Sequence, residues 1–402
     1  MAAPGASEEA FVPLTMTTTP PRTGRPGGRA RQLAVTAVVA ALALASAGCE
    51  PDPTTVPTLT AQPLVSGLTL PWDLSFTPGG SILWTERGGR IMRRTAYGDV
   101  NQMAADLSDL RVSGETGLMG IAVDPRFNTN KRVYTCQGWT DGVTNDVRVV
   151  PWVANSAGDA LTRLSPIVNG ILSTTGTHGG CRLRFDGPDR LFIGTGDAIT
   201  GTAPQDITSL AGKVLRVNPD TGAGISDNPF AGSATANTRR IWSSGHRNLQ
   251  GLAFRPADAS LWTAEHGPNI DDEVNRGSTG NFGWDPVPGY SQDVPMTDTT
   301  KFPDAVTAAW SSGAPTVATS GITWLSGPRW EAWDDHMVVA TLKASRLLVL
   351  APQGDGTLAE VDRIYEGTFG RIRTAHLGPD GLLYLTTSNG GGNDQIIRIT
   401  PS

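Results

Sequence analysis

The sequence predicts an all-β fold, a six-bladed β-propeller of four-stranded antiparallel blades around a central channel. One short pattern occurs six times: an alternating apolar strand, a turn rich in Pro, Asp or Gly, and a second apolar strand. Such period-two apolarity indicates a hairpin, and hairpins repeated at blade spacing are typical of propellers. The 48 glycines, 29 prolines and only 17% charged residues also favour many short strands over long helices.

The six hairpins follow one another along the chain with uneven spacing. In order they cover residues 74–86, 121–135, 183–194, 252–263, 322–340 and 375–385, and the fifth is the loosest copy. Loops of different length must therefore lie between the blades. In a propeller such loops gather at one end of the channel, where binding residues usually lie.

Length and charge limit the class of protein. Residues 61–402 suffice for six four-stranded blades with a large apolar interior, so we predict one propeller domain over that range. The net charge is −6 and no basic stripe occurs. A nucleic-acid partner is therefore not expected.

The first sixty residues are predicted to lie outside the propeller. Residues 1–48 have the features of an export signal peptide, because four arginines precede the apolar run 33–45 and small residues precede Cys49. Cys49 after Ala-Gly resembles a bacterial lipoprotein box, although Ser46 stands where Leu is usual. Residues 49–60 would then be a lipidated cysteine and a disordered tether. We expect an extracytoplasmic protein, lipid-anchored to the outer face of the cell membrane, with plain secretion as the alternative.

Two further cysteines lie in the predicted propeller. Cys136 falls on a strand of the second hairpin and Cys181 on a strand of the third. Export would place both in an oxidising compartment. A disulfide between adjacent blades and two buried free thiols both fit the sequence.

One of the five histidines, His178, is a candidate catalytic residue. His178 lies among glycines directly before the third hairpin, and Asp197 follows its second strand. Because the ends of hairpin strands meet, the Asp197 carboxylate can face the imidazole, hold its tautomer and raise its basicity. A general base is one interpretation, and a turn histidine bonded to backbone is the other.

Cationic and amide side chains recur before or after strands of the later repeats. They are Arg247, Asn248, Gln250, Lys343, Arg371 and Arg373. Solvated or salt-bridged loops are the plain interpretation. If the repeats are blades, however, these loops converge at one end of the channel and form a basic pocket, which calls for a polyanionic small ligand.

The run from Glu265 to Glu273 contains four carboxylates and several turn carbonyls. This density of oxygen ligands fits a cation such as Ca²⁺, and an acidic surface loop is the alternative. The sequence has no His-Glu-x-x-His zinc motif, no Gly-x-Ser-x-Gly and no Rossmann glycine pattern. A zinc protease, a serine hydrolase and a dinucleotide-dependent enzyme are therefore disfavoured.

Nine strings taken in chain order resemble the soluble PQQ-dependent aldose sugar dehydrogenases, the glucose/sorbosone dehydrogenase family. They lie at 70–73 with 85–87, 114–120, 178–180 with 196–197, 212–219, 227–230, 245–248, 265–268, 281–284 and 371–373. The resemblance covers about residues 60 to 400.

The resemblance implies that pyrroloquinoline quinone (PQQ) and Ca²⁺ bind in the channel mouth. Aldoses would be oxidised at the anomeric carbon to the lactone, with electrons passed to an external acceptor, a quinone or a redox protein. His178 would be the general base, Asp197 would orient it, and Arg247 would polarise the acceptor carbonyl. The residues implied to surround the cofactor are Arg247, Asn248, Gln250, Lys343, Arg371, Arg373 and Glu115. The backbone oxygens of Gly267 and Pro268 would hold Ca²⁺.

Two alternatives use the same fold. A propeller lactonase or hydrolase would hold a catalytic metal with carboxylates, but it leaves Lys343, Arg371 and Arg373 unexplained. A non-catalytic extracytoplasmic propeller that binds glycans or proteins predicts nothing special at His178.

Overall fold

The computed structural model describes residues 55–402. The first strand, β1, spans Leu59–Leu68, and the other strands form blades in chain order. Blade 1 contains β2 (Pro71–Phe76), β3 (Ile82–Glu86), β4 (Arg90–Arg94) and β5 (Val100–Gln102). Blade 2 contains β6 (Leu118–Val123), β7 (Arg132–Thr140), β8 (Asn145–Ala154), β9 (Leu161–Arg163) and β10 (Val168–Leu172). Blade 3 contains β11 (Gly180–Phe185), β12 (Leu191–Thr195), β13 (Lys213–Val217) and β14 (Ile241–Ser244).

The remaining strands complete the propeller. Blade 4 contains β15 (Leu249–Phe254), β16 (Leu261–Glu265) and β17 (Glu273–Arg276), then β18 (Gly280–Asn281) crosses back to blade 3 and β19 (Trp310–Ser311) finishes blade 4. Blade 5 contains β20 (Thr319–Trp324), β21 (Met337–Thr341), β22 (Leu347–Pro352) and β23 (Leu358–Ile364). Blade 6 contains β24 (Ile372–Leu377), β25 (Leu383–Thr387), β26 (Asp394–Pro401) and β1. The short helices are α1 (Phe127–Asn130), α2 (Ala236–Arg240) and a 3₁₀-helix (Pro328–Trp333).

The predicted six-bladed propeller is confirmed. Each hairpin predicted from the sequence is the innermost strand pair of one blade, and the innermost strands of successive blades contact one another in a closed ring. Two blades carry a fifth strand: β9 pairs with β8, and β18 pairs with β14. The pairing of β18 with β14 is parallel. It brings the chain back to blade 3 after three strands of blade 4 have formed.

The core is divided between the blades. Each of the six hydrophobic clusters lies between two adjacent blades, as where Leu83 and Ile91 of blade 1 meet Ile121 and Trp152 of blade 2. Second strands such as β3 and β12 are therefore buried on both faces. This explains why their sequences are nearly continuous apolar runs, since both faces of such a strand leave water.

The propeller closes by pairing its two ends. Strand β1 runs antiparallel to β26, and the backbones of Thr58 and Ser402 exchange two hydrogen bonds of 3.0 and 2.9 Å. The propeller thus begins slightly before residue 61, and the last residues assigned to the tether belong to it, because β26 would otherwise expose an unpaired edge. The predicted signal peptide 1–48, the lipidated Cys49 and the tether up to residue 54 lie outside the described residues. Within residues 55–402, no helix is long and apolar enough to cross a membrane.

A disulfide joins two neighbouring blades. Cys136 on β7 is bonded to Cys181 on β11, with 5.5 Å between their Cα atoms, and both side chains are buried. Of the two interpretations that the sequence allowed, the structure has the disulfide. It lies three residues after His178, at the start of an innermost strand.

Candidate active site at the channel mouth

All six blades line one cavity at the end of the channel where the innermost strands begin, which we call the mouth. The cavity has a volume of about 260 Å³ and is open to solvent. Its lining residues are Leu70, Trp72, Arg87, Glu115, Met119, Gly179, Gly180, Gln250, His266, Ala318, Leu342, Arg371, Arg373 and Ser388. Four of the predicted site residues are in this lining, namely Glu115, Gln250, Arg371 and Arg373. His178, Asn248 and Lys343 each lie one or two positions along the chain from a lining residue.

His178 and Asp197 are in direct contact at the side of the mouth. Nδ1 of His178 lies 2.9 Å from Oδ1 of Asp197, and both side chains are buried. The backbone of His178 is left-handed, with φ of +53°, and its N–H donates to Oε2 of Glu115 at 3.0 Å. Glu115 therefore lies beside His178 as well as in the cavity wall, and its carboxylate supports the main chain that presents the imidazole.

Four donors converge on the Asp197 carboxylate. Oδ1 accepts from His178 and from the backbone N–H of Ile199 at 2.9 Å, and Oδ2 accepts from the indole of Trp284 at 2.8 Å and the phenol of Tyr290 at 2.6 Å. A carboxylate accepts hydrogen bonds and has no proton of its own to donate. The network therefore assigns the proton of the neutral imidazole to Nδ1, and the free lone pair of His178 lies on Nε2.

Sequence reasoning missed the two aromatic donors. Trp284 and Tyr290 lie in the long segment after β18, where no periodicity or turn signal places a side chain. Burial and the Asp197 charge raise the pKa of the Tyr290 phenol, so it remains a donor throughout the neutral range. Trp284 falls within one of the strings that carry the family resemblance, which was the available signal for it.

Arg247 is held in place from three sides. Its backbone N–H donates to Oε2 of Glu265 at 2.8 Å, and its guanidinium donates to the carbonyl of His266 at 3.0 Å and to Oε1 of Gln292 at 2.9 Å. The guanidinium also lies 5.5 Å from the centre of the Trp284 ring. Arg247 and Asp197 thus share Trp284 as a neighbour, which brings the two sequence clusters together.

A chain of amides runs from blade 3 to blade 6 across the mouth. Oδ1 of Asn248 accepts from the backbone of Gly180 at 3.2 Å and from Gln250 at 2.9 Å, and Oε1 of Gln250 accepts from Arg373 at 2.8 Å. These bonds use the acceptor oxygens, and they leave donor groups of Asn248 and Arg373 free for a ligand.

Three further cations surround the cavity. Arg371 donates to the carbonyl of Leu342 at 3.3 Å, whereas Lys343 is exposed at the rim and donates to Thr316 at 3.1 Å. Arg87, which sequence reasoning did not select, lines the cavity and donates to the carbonyl of Gly114 at 2.6 Å. The structure therefore gathers Arg87, Arg371 and Arg373 in the wall, with Lys343 beside them.

The electrostatics of the mouth favour an anion. Burial, together with Arg182, Arg371 and Arg87, lowers the pKa of Arg373 to about 9, and Glu115 partly offsets the effect. Burial and the arginines Arg373 and Arg247 likewise lower the pKa of His266 to about 3, which keeps this imidazole neutral. A negatively charged ligand would relieve the mutual repulsion of these cations.

Of the carboxylates and turn carbonyls that the sequence offered to a cation, the Glu265 and Asp272 carboxylates are bound within the protein. Glu265 is occupied by His246 and Arg247, and Asp272 accepts from the backbone of Gly267 at 2.9 Å and of Val317 at 2.7 Å. Within residues 55–402, no group of three or more His, Cys, Asp or Glu side chains is arranged to hold a metal. The carboxylates shape the turn, and its main-chain oxygens are what remain for a cation.

Free polar groups test whether PQQ and Ca²⁺ suit this mouth. Among the described residues, buried atoms without a hydrogen-bond partner include Arg87 Nε, Arg247 Nε, Asn248 Nδ2, His266 Nε2 and Arg373 Nε. Within the same range, no recorded donor faces the carbonyl oxygens of Gly267 or Pro268. Unpaired donors around a cavity suit carboxylates and quinone oxygens, and free carbonyls suit Ca²⁺, so the residues fit both groups.

Comparisons with known proteins agree with this geometry. A family model described as Glucose / Sorbosone dehydrogenase matches residues 68–398. The aldose sugar dehydrogenase of Escherichia coli is 29% identical over 361 residues, covering 86% of this chain and 93% of that protein.

Two solved structures are similar over nearly their whole length. The soluble aldose sugar dehydrogenase from Escherichia coli in its apo-form has a TM-score of 0.77 at 28% identity, covering 86% of this chain and 100% of that chain. The PQQ-bound aldose sugar dehydrogenase from Streptomyces coelicolor has a TM-score of 0.70 at 28% identity, covering 87% and 100%.

The propeller and its mouth define a sugar-oxidising enzyme of the propeller dehydrogenase class. The chain belongs to the glucose/sorbosone dehydrogenase family. The family predicted from the nine sequence strings is thereby confirmed.

Proposed function

We propose that this protein oxidises aldose sugars at the anomeric carbon to the lactone in a reaction that depends on PQQ and Ca²⁺. The observation that carries the proposal is the buried His178–Asp197 pair beside a cavity lined by three arginines. A basic group and an anion site in one mouth are what this chemistry needs. The PQQ-bound structure of a relative supports the same assignment.

The residues of the mouth would hold the two groups. Donor atoms of Asn248, Arg247, Lys343, Arg371 and Arg373 would bind the carboxylates and quinone oxygens of PQQ, with Gln250 supporting Asn248 and Arg373. The carbonyl oxygens of Gly267 and Pro268 would bind Ca²⁺. When bound, calcium-polarised PQQ would supply the acceptor for the hydride of the anomeric carbon.

The chain itself handles the proton. Because Nδ1–H of His178 donates to Asp197, Nε2 is free to take the proton of the anomeric hydroxyl as the lactone carbonyl forms. The Asp197 carboxylate then stabilises the imidazolium. The two electrons removed from the sugar pass to an external acceptor, a quinone or a redox protein.

No observation favours the lactonase over this reaction. A metal-dependent hydrolase needs carboxylates free to bind its metal, whereas Glu265 and Asp272 are occupied by backbone and histidine donors. The binding propeller offers no reason for an imidazole fixed by a carboxylate with four donors.

The proposal can be tested by titrating the apoprotein with PQQ and Ca²⁺. An aldose and an artificial electron acceptor are then added. We expect a saturable change in the PQQ absorption spectrum, reduction on addition of sugar, and reduction of the acceptor dye. Absence of PQQ binding at micromolar concentration with calcium present would contradict the proposal and favour the binding propeller.

We also propose that the enzyme acts outside the cytoplasm, exported by residues 1–48 and anchored through lipid on Cys49. The support is the sequence pattern, because these residues lie outside the described range. Mass spectrometry of the membrane fraction tests it. A mature N-terminus other than Cys49, or an unmodified Cys49 on freely soluble protein, would favour plain secretion.

A further inference from the structure

One segment after β18 contacts both halves of the candidate site. Its Tyr290 donates to Oδ2 of Asp197 at 2.6 Å, and its Gln292 accepts from Arg247 at 2.9 Å. Trp284, at the start of the same segment, donates to Asp197 and lies under the Arg247 guanidinium. The mouth is therefore completed by a segment to which the proposed mechanism gives no role.

We propose that Tyr290 is a positioning residue that fixes the His178–Asp197 pair for proton transfer. The inference rests on the proposed role of His178 as the base. Tyr290 acts through Asp197, and it is given no contact with sugar or cofactor.

The geometry explains how one hydroxyl can do this. The Asp197 carboxylate could rotate about its Cβ–Cγ bond, but two ring donors hold Oδ2 and leave Oδ1 to His178 and Ile199. The Tyr290 oxygen also lies 3.1 Å from Nδ1 of His178. The Nδ1–H of His178 therefore faces two oxygens that are already in place, those of Asp197 and Tyr290. When the ring gains its second proton at Nε2, these groups need to move little.

The charged groups around His178 influence its protonation, so a pH titration can report on the role of Tyr290. The titratable and charged groups near the imidazole, or packed against its partners, are Asp197, Tyr290, Glu115, His266, Arg247 and Lys213. Among these, Tyr290 neutralises part of the Asp197 charge through its hydrogen bond. Without the hydroxyl, Asp197 keeps more of its charge and attracts the imidazolium more strongly, so Tyr290→Phe is expected to bind the second proton of His178 more tightly than the wild type does.

The segment is anchored independently of this hydroxyl. Lys301 donates to the Asp285 carboxylate and to the Val287 carbonyl, each at 3.2 Å. The Tyr290 ring meets the Trp284 ring edge-on at 6.1 Å, a contact that phenylalanine keeps. Tyr290→Phe therefore removes the hydrogen bond and preserves the packing.

The test compares Tyr290→Phe with Asp293→Asn in the full chain. Asp293 is exposed on the same segment, and no hydrogen bond of its carboxylate is recorded within residues 55–402. For Tyr290→Phe with PQQ and Ca²⁺ we expect kcat/KM to fall about tenfold near neutral pH. The acidic limb of the pH profile should move up by about half to one unit. PQQ affinity and the Asp293→Asn profile should stay at wild-type values.

A second readout does not need turnover. The titration of His178 in the apoprotein, followed by NMR of labelled histidine and assigned with His178→Gln, should move upward in Tyr290→Phe. Wild-type values for both the pH profile and this titration would overturn the role of Tyr290. If wild-type protein with PQQ and Ca²⁺ oxidised no aldose, the proposed function would fail, while the apoprotein titration would still decide whether Tyr290 tunes His178.

Discussion

Arg182 and Asp73 form an ion pair inside the channel, with Nη1 2.6 Å from Oδ1 and both side chains fully buried. Arg182 also donates to the Gln250 carbonyl at 2.8 Å and lies 4.4 Å from the ring centre of Trp72, which lines the cavity. The pair therefore links the innermost strands of blades 1, 3 and 4, and it stabilises the part of the cavity wall that contains Trp72 and Gln250.

Asp73→Asn should destabilise the propeller strongly. It leaves the Arg182 guanidinium buried beside a neutral amide, and breaking such a pair typically costs about 3–5 kcal/mol in the free energy of unfolding. Urea unfolding measures the loss. Glu360→Gln, which breaks the exposed pair of Glu360 with Arg363, is the control and should cost less than about 1 kcal/mol. Equal effects of the two variants would contradict this account.

The same pair predicts the acid limit of stability. Burial acts to raise the pKa of Asp73, but Arg182 and Arg184 outweigh it and hold this pKa below the usual 3.8. A carboxyl with a depressed folded-state pKa contributes stability above its unfolded value, and that contribution is lost as pH falls through the folded value. The unfolding free energy of wild-type protein should therefore fall more steeply below about pH 4 than that of Asp73→Asn.

The sequence predicted what local patterns encode. The six innermost hairpins were found because alternating apolarity and turn residues are properties of neighbouring positions. The parallel pairing of β14 with the two-residue β18 leaves no such pattern. Tyr290 and Asp197 are 93 positions apart and joined only by tertiary structure, so neither spacing nor composition could pair them. The disulfide stayed open in the sequence for the same reason.

His178→Ala should remove most turnover and leave PQQ bound. A general base contributes about 10²- to 10⁴-fold to the rate, whereas the cofactor contacts are assigned to other side chains. Steady-state kinetics and PQQ titration measure the two effects. His336→Ala is the control, because that imidazole bonds only the Asp334 carbonyl among the described residues. Normal rates for His178→Ala at neutral pH would refute its role as base.

Arg371→Ala and Arg373→Ala should weaken cofactor binding. Each removes a charge-assisted hydrogen bond to a carboxylate, which corresponds to about tenfold to a hundredfold in Kd. Fluorescence titration with PQQ and Ca²⁺ measures the change. Arg363→Ala, on the exposed edge strand β23, should leave Kd unaltered. Wild-type affinity in both mouth variants would show that PQQ does not bind there.

Gly267→Ala should impair calcium-dependent reconstitution. A Cβ atom at residue 267 would lie 2.1 Å from the Ile270 carbonyl oxygen and 2.4 Å from that of Asp271, so the turn must shift and move both proposed calcium-binding oxygens. We expect a higher calcium concentration for half-maximal PQQ binding. Gly354→Ala is the matched control, because a Cβ there meets nothing within 4 Å. An identical calcium requirement in Gly267→Ala would remove this turn as the site.

Joint replacement of Cys136 and Cys181 by alanine should reduce both stability and turnover. The bridge spans 45 positions, and the chain-entropy model gives such a loop about 4 kcal/mol in the free energy of unfolding. Turnover should fall as well, since Gly180 and Cys181, two and three positions after His178, have φ of +60° and +86°. Without the bridge, the alanine at position 181 can relax from this left-handed conformation and carry the His178 imidazole away from Asp197.

A Cys49→Ala background makes this last test clean, because the chain has three cysteines in all. Urea unfolding and steady-state kinetics are measured on that background with and without the double replacement, and a thiol assay on the unfolded parent should find no free thiol. A double variant with lower stability but unchanged kcat and KM would limit the disulfide to a structural role. Two free thiols in the parent would show that the bridge does not form.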